Sequence, residues 1–396
     1  MSERVDVLVV GGGIHGAGVA QAAAAAGYSV LLVEARAPAA GTSSRSSKLI
    51  HGGLRYLETL QLALVRESLR EREILLRVAP QLVKLTPFFI PVYGDTTRAP
   101  WKIRAGLSLY AALGGLGRED LFRRVPRREW DGLDGLRTDD LRAVFCYFDG
   151  QTDDAALVRA VLDSARELGA EVEHPCELLA AQRSDSGYLV RIAGAAGERE
   201  VSCAALVNAA GPWIAQVQRR ITPRPLVFDV ELVAGTHLEL PGALERGVYY
   251  CEAPSDHRAV FLIPWKGRTM VGTTETPYGG EPALVAPLER EIEYLRECVR
   301  RYMPRLDAPP VASWAGLRVL PKLPGAAFSR PRDVTFTCDD EARPRLVAIW
   351  GGKLTGYRCT ALKVLERLAP QLPVRERRAD TATLPLPAPD GRAQRP

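Results

Sequence analysis

Long apolar runs are missing from this 396-residue chain. No stretch approaches the length of a membrane-spanning helix, and no signal peptide precedes the first apolar segment. The expected location is the cytoplasm, or the cytoplasmic face of the inner membrane as a peripheral protein. Histidine is scarce: there are five, none at metal-ligand spacing. The seven cysteines (Cys146, Cys176, Cys203, Cys251, Cys298, Cys338 and Cys359) are scattered and form no C-x-x-C. This argues against a disulfide framework and a zinc site, and suits a reducing compartment. No metal is expected. One-sided charge is lacking as well. Lys and Arg number 52 against 47 Asp and Glu, a net +5, too little to argue for nucleic acid. With 46% hydrophobic residues, the rest is ordinary for a globular protein of two or three domains.

What is present is concentrated first at the N-terminus. Val5–Val10 is a short β-branched run that reads as a buried parallel strand. Gly11, Gly13 and Gly16 then spell G-x-G-x-x-G, Ala17–Ala26 favour a helix, Gly27 stops it, and Tyr28–Val33 read as a second strand. Gly11 allows the turn, Gly13 lets backbone approach a pyrophosphate, and Gly16 lets the helix pack close to the sheet. The helix N-terminus offers N–H groups and a positive dipole end to phosphates. Glu34 follows about 20 residues on, where an acid binds ribose hydroxyls. Strand, glycines, helix, strand and acid in that order give the context that a lone glycine motif lacks.

Gly41–Glu58 (GTSSRSSKLIHGGLRYLE) is rich in Gly, Ser and Thr, with Arg45, Lys48, His51 and Arg55 as cations. It reads as a loop wrapped over an anionic cofactor. Leu57–Pro80 is expected to be an amphipathic helix, with Leu62, Val65, Leu69 and Leu76 on one face. Leu85–Tyr93 reads as extended. Trp101–Leu113 has the pattern of a helix with a basic fringe. It fits either an anionic membrane surface or a packed helix with a solvated cationic rim.

Asp153–Gly169 is a further expected helix, with Asp153 or Asp154 at its cap and Gly169 as its stop. Glu171–Glu173, Gly187–Ile192 and Glu200–Val201 read as a meander inserted in the nucleotide domain. Ala205–Trp213 returns a strand to the cofactor crevice. Val227–Val233, His237–Leu240, Val248–Cys251, Ala259–Pro264 and Thr269–Thr273 read as strands of a second, largely antiparallel sheet. Leu346–Trp350 is a buried strand ending in Gly351-Gly352-Lys353-Leu354-Thr355, which opens the helix Gly356–Leu368. This second strand–glycine–helix junction also suits a cofactor near a helix N-terminus. Pro385–Pro396 is a Pro-rich tail expected to be disordered.

The fold class is therefore α/β, a Rossmann-like dinucleotide-binding domain interleaved with a largely antiparallel β substrate domain. The first is assigned 1–85, 140–222 and 340–372, the second 86–139 and 223–339, with 373–396 as a tail.

VGGGIHGAGVA, TSSRSSKLIHGGLRYLE, Asp153-Asp154 with ALV, LVNAAGPW, GTH at Gly235–His237, FLIPW with VGTTE, AGLRVLP and GGKLTGYR run from the N-terminus to about residue 370. Together they resemble the FAD-dependent glycerol-3-phosphate dehydrogenase family, within the flavoenzymes built like D-amino-acid oxidase. Departures are Glu275 in place of Asp, Val319 in place of Pro and Gly356 in place of Thr. The Thr-Arg-Asp segment stands as Pro331-Arg332-Asp333. Family members usually continue into a helical domain of about a hundred residues, and this sequence ends before one.

The resemblance implies oxidation of sn-glycerol 3-phosphate to dihydroxyacetone phosphate by hydride transfer to flavin N5, with electrons passed to a quinone. An alternative is another hydroxy acid, polyol phosphate or amine, with oxygen as acceptor. A flavin-binding protein kept for interaction alone is a third reading. The retained His237, Arg318 and Lys353 argue against it. A homodimer and a membrane surface are among the partners the resemblance allows.

His237, Arg318, Lys353 and Arg55 are the catalytic candidates, and His237 is the base. Arg55, Tyr56, Arg318, Arg332 and Thr355 are assigned to substrate, the arginines because a guanidinium fork matches a phosphate. FAD, bound non-covalently, is assigned to Gly11, Gly13, Ile14, His15, Gly16, Glu34, Thr42, Ser43, Ser44, Ser47, Lys48, Leu49, His51, Gly52 and Gly53. Ala210, Gly211, Trp213, Gly351, Gly352, Lys353, Leu354 and Thr355 complete that set.

Overall fold

The structure, a computed structural model, describes residues 3–117, 119–322 and 333–388. Strand β1 (Glu3–Val10) lies parallel to β2 (Val30–Val33) on one side and to strand Gly197–Asn208 on the other. Glu171–Glu173 extends the sheet in parallel beyond β2, and Leu346–Trp350 pairs in parallel with the end of Gly197–Asn208. Parallel neighbours require crossover connections, so helices cover the sheet. Helix α1 (Ile14–Ala25) packs there with helices Asp154–Glu167 and Tyr357–Leu368. The uninterrupted apolar run of β1 follows from burial on both faces. Val7 and Val9 join the core with Ala17, Ala20, Val161 and Val364, while Leu8 and Val10 pack with Tyr188, Val190 and Ile192. Gly16 is required at the first turn of α1, because a Cβ there would strike the Gly11 carbonyl.

The second sheet is mostly antiparallel. Val83–Tyr93 pairs with Leu141–Thr152 along nearly its whole length, and Val230–Leu240 pairs in the same way with Ala312–Pro321. Val248–Glu252, Ala259–Trp265 and Arg268–Gly272 lie between these two ladders. Helices α2 (Leu62–Val78) and α3 (Pro100–Gly114) cover one face, with Leu69, Leu107 and Tyr110 against Phe88, Phe145 and Tyr147. Helix Glu289–Tyr302 covers the other, with Leu295, Val299 and Tyr302 against Leu238, Leu262 and Val271.

Several expected boundaries shift. The helix expected from Leu57 begins at Leu62. Before it, Leu54–Leu57 forms a 3₁₀ turn, and Gln61 N–H bonds Tyr56 O to close the chain reversal. The two strands expected around Gly235 are one, since Gly235 stays in register with Gly316. The pieces expected at 200–201 and 205–213 share one strand, Gly197–Asn208, which ends before the turn Gly211–Trp213. Glu177–Ser184 is an additional strand that takes the place in the meander expected of Glu171–Glu173, which pairs in parallel with β2 instead. Leu141–Thr152 pairs with Val83–Tyr93 in the second sheet, not in the nucleotide-binding sheet as a boundary at 140 implies.

The tail is ordered as far as it is described. Arg375 pairs with Asp6 at 3.0 Å, and the buried Leu386 donates its N–H to Val78 O at 2.7 Å. Proline there stiffens an extended strap that lies against the helices. Residues 389–396 of the tail lie outside the described residues. No helix among the described residues is long and apolar enough to cross a membrane.

Candidate active site

A cavity of about 430 Å³ opens where the two sheets meet. At one end the turn Gly11–Gly13 delivers α1, and Ile14 and His15 line the wall beside it. Glu34 Oε2 accepts from Gly12 N–H at 2.6 Å, which holds the acid at the end of β2 against the glycine turn. Ser43 Oγ accepts from Ile14 N–H at 3.0 Å, so the Ser/Thr loop is fastened across the start of α1. Thr42 Oγ1 donates to Leu317 O at 2.7 Å and ties the same loop to the second sheet. Ala210, Gly211 and Trp213 form the opposing wall, with the Arg36 guanidinium 4.4 Å from the Trp213 ring centroid. Gly351, Gly352, Lys353, Leu354 and Thr355 close the cavity from the last strand–helix junction.

The lining also carries His237, Arg318, Arg55 and Lys353. His237 Nε2 lies 2.9 Å from Ser47 Oγ, and its ring stacks on Trp314. Complete burial, with the charges of Arg318 and Lys48, lowers His237 to about 3, so the imidazole is neutral at neutral pH. Arg318 donates to Thr274 O at 3.1 Å and to Thr273 Oγ1 at 2.9 Å. Arg55 lies against Tyr56, its Nη2 3.4 Å from the phenol oxygen. Burial works against the Arg55 charge, but Tyr56, Glu275 and Tyr250 outweigh it and hold the guanidinium charged. Lys353 Nζ sits 3.9 Å from the Tyr56 ring centroid. Thr355 Oγ1 accepts from His51 N–H at 3.2 Å and joins the last glycine junction to the loop. His237, Arg318, Arg55, Tyr56, Lys353 and Thr355, far apart in sequence, thus line one cavity.

Four residues assigned to the cofactor do not line it. Gly16 lies beneath the turn, in its packing role. Ser44 donates to Gly41 O at 3.2 Å within the loop. Lys48 Nζ is buried against Asp154 Oδ1 and the Ser44 carbonyl, each at 2.6 Å, so its charge is taken up inside the protein. Asp153, not Asp154, caps its helix, accepting from Ala156 N–H at 3.0 Å. Gly52 is buried under Tyr110 and Leu69. Arg332 lies outside the described residues.

The sequence reading passed over Arg258, Tyr250, Phe261 and Asp149, which also line the cavity. Arg258 had a signal, a cation opening the alternating strand that follows it. Asp149 had none, because only folding brings its strand under the loop.

Residues 6–358 match the DAO family, FAD dependent oxidoreductase. The chain belongs to that family. It is 39% identical over 377 residues to a glycerol-3-phosphate dehydrogenase of Pseudomonas aeruginosa, an alignment covering 93% of this chain and 72% of that protein. It is 36% identical over 375 residues to a D-erythritol 1-phosphate dehydrogenase of Brucella abortus, covering 92% of this chain and 74% of that one. Among solved structures it resembles a glycerol-3-phosphate dehydrogenase from Bacillus halodurans complexed with FAD. There the TM-score is 0.72 at 26% identity, over 97% of this chain and 68% of that one. An L-alpha-glycerophosphate oxidase from Mycoplasma pneumoniae with FAD bound shares the fold, with a TM-score of 0.75 at 17% identity over 93% of this chain and 95% of that one.

The protein is thus an FAD-dependent oxidoreductase. Its own residues fit the cofactor. His15 Nδ1 is buried at the start of α1 with no hydrogen-bond partner among the described residues. Burial lowers His15 to about 4, so a neutral ring is available to a ligand there.

Proposed function

We propose that this enzyme oxidises the secondary hydroxyl of a phosphorylated polyol, with sn-glycerol 3-phosphate as the first choice and dihydroxyacetone phosphate as product. The observation that carries this reading is that Arg55, Arg318 and Lys353 line the same cavity as His237. Cations gathered in one partly buried pocket favour an anionic substrate, and planar guanidinium groups suit phosphate oxygens. FAD held by the glycine turn, Glu34 and the Ser/Thr loop supplies the two-electron acceptor. Arg55 and Arg318 bind the phosphate. Lys353, braced on Tyr56, holds positive charge beside the reacting carbon. His237, uncharged and ordered by Ser47, accepts the hydroxyl proton.

The Brucella abortus relative supports a second choice of substrate, a longer polyol phosphate. Electrons then pass to an outside acceptor, for which a membrane quinone is our choice. The exposed Trp101, with Lys102 and Arg104 on α3, supports a membrane-surface position. The deciding comparison is kcat/KM for sn-glycerol 3-phosphate, D-erythritol 1-phosphate and free glycerol with an artificial acceptor. Preference for either phosphorylated substrate supports the phosphate pocket. Equal turnover of free glycerol and glycerol 3-phosphate contradicts it.

A further inference from the structure

Tyr110 stands on the inner face of α3 and touches the loop that precedes Arg55. Its hydroxyl oxygen accepts from Gly52 N–H at 2.8 Å, and its proton goes to Asp149 Oδ2 at 2.6 Å. Asp149 also accepts from Arg72 Nη1 at 3.1 Å, and Arg72 Nη2 donates to Asp120 Oδ1 at 2.5 Å. All four side chains are more than nine-tenths buried. Two carboxylates and one guanidinium are thereby held away from water. Such a cluster is a poor device for stability alone, since apolar packing of similar volume often does as well or better.

Its position gives it another use. Gly52 has no room for a side chain, because a Cβ would run into the Tyr110 hydroxyl and Leu69. Gly53, at φ +78°, then turns the chain into the 3₁₀ turn Leu54–Leu57, which carries Arg55 and Tyr56. Tyr56 in turn faces Lys353. The placement of Arg55 and Tyr56, and of the ring face that Lys353 meets, therefore passes through one corner, and Tyr110 is bonded to that corner's amide.

We propose that Tyr110, itself held by Asp149, is a positioning residue that fixes the Gly52–Gly53 corner and so sets the Arg55 and Tyr56 side of the phosphate pocket. This inference rests on the reading of Arg55 as a phosphate ligand. Tyr110→Phe removes the hydroxyl and keeps the ring. The FAD-loaded variant is titrated with inorganic phosphate, read by the change in flavin absorbance, and assayed on glycerol 3-phosphate and free glycerol.

Loss of one hydrogen bond should weaken phosphate binding by about tenfold. KM for glycerol 3-phosphate should rise to match, kcat should stay within about twofold, and free glycerol should be unaffected. Unchanged phosphate binding, or equal losses on both substrates, overturns the proposal. If Tyr110→Phe does not retain FAD, Tyr110→Met, which also lacks the hydroxyl and fills much of the same space, takes its place and the same outcomes decide. Loss of FAD in both means that the cluster is structural, which also overturns it. A wild-type enzyme that binds no phosphate ends the phosphate reading and this inference together. One that binds phosphate but oxidises a different phosphorylated alcohol ends only the choice of substrate.

Discussion

The Lys353 ammonium stands over the face of the Tyr56 ring, 3.9 Å from its centroid. A cation so placed is attracted by the ring quadrupole, by about 0.5–2 kcal/mol depending on desolvation. Tyr56 is buried, so the contact is shielded from water. Tyr56→Phe keeps the face and should leave kcat/KM nearly intact. Tyr56→Leu loses the face and should cost about two- to thirtyfold in kcat/KM. Steady-state kinetics of the two FAD-loaded variants check this. Equal losses would assign the effect to the phenol hydroxyl.

Arg318 is half-buried and already donates to Thr274 O and Thr273 Oγ1. Arg318→Lys keeps the charge but loses the planar fork. One lost charge-assisted contact should cost roughly 1.5–3 kcal/mol, about ten- to more than a hundredfold in kcat/KM for glycerol 3-phosphate. Free glycerol, which lacks the phosphate, should lose little. An equal loss on both would make Arg318 a structural brace for Thr273 and Thr274.

Much of this site was legible because its parts are local. The glycine turn, Glu34, the Ser/Thr loop and the Gly351–Thr355 junction each sit next to a strand or helix whose period announces it. Lys48 shows where local reading stops. It lies in the right loop, yet its charge turns inward to Asp154, more than a hundred residues away in sequence. The 3₁₀ turn before α2 was missed for a similar reason. Leu57 fits the helical stripe, but the chain reverses at 58–61 and brings Arg55 and Tyr56 to the cavity. The meander appeared as fragments because strand propensity is weak in Gly197–Asn208, and pairing with β1 and Gly187–Gly194 completes it.

Acid should destabilise the protein partly through its buried histidines. Burial lowers His15 to about 4, and burial with Arg318 and Lys48 lowers His237 to about 3. In the unfolded chain both titrate near 6.5. Between those values the unfolded state binds protons that the folded state refuses, so stability falls as pH drops from about 6.5 toward 4. Urea midpoints at pH 7, 6 and 5 should decline in the wild type. His15→Gln should flatten the decline, and an unchanged slope would assign it to the carboxylates instead.

Trp101 is 68% exposed at the start of α3, while Ile103, Leu107 and Tyr110 face inward. If this outer surface meets lipid, vesicles rich in anionic lipid should co-sediment with the protein, and salt should release it as Lys and Arg contacts are screened. Lys102→Ala with Arg104→Ala should reduce binding. Absence of binding at low salt would remove the membrane position from the proposal.

The most direct measurement mixes the oxidised, FAD-loaded enzyme with sn-glycerol 3-phosphate without oxygen and follows the visible flavin band. Bleaching, with dihydroxyacetone phosphate formed in equal amount to the FAD reduced, is the expected result. Free glycerol at the same concentration should bleach the flavin far more slowly. A flavin that stays oxidised with glycerol 3-phosphate and with D-erythritol 1-phosphate, yet bleaches with a hydroxy acid or an amine, would contradict the assignment of this cavity to a phosphorylated polyol.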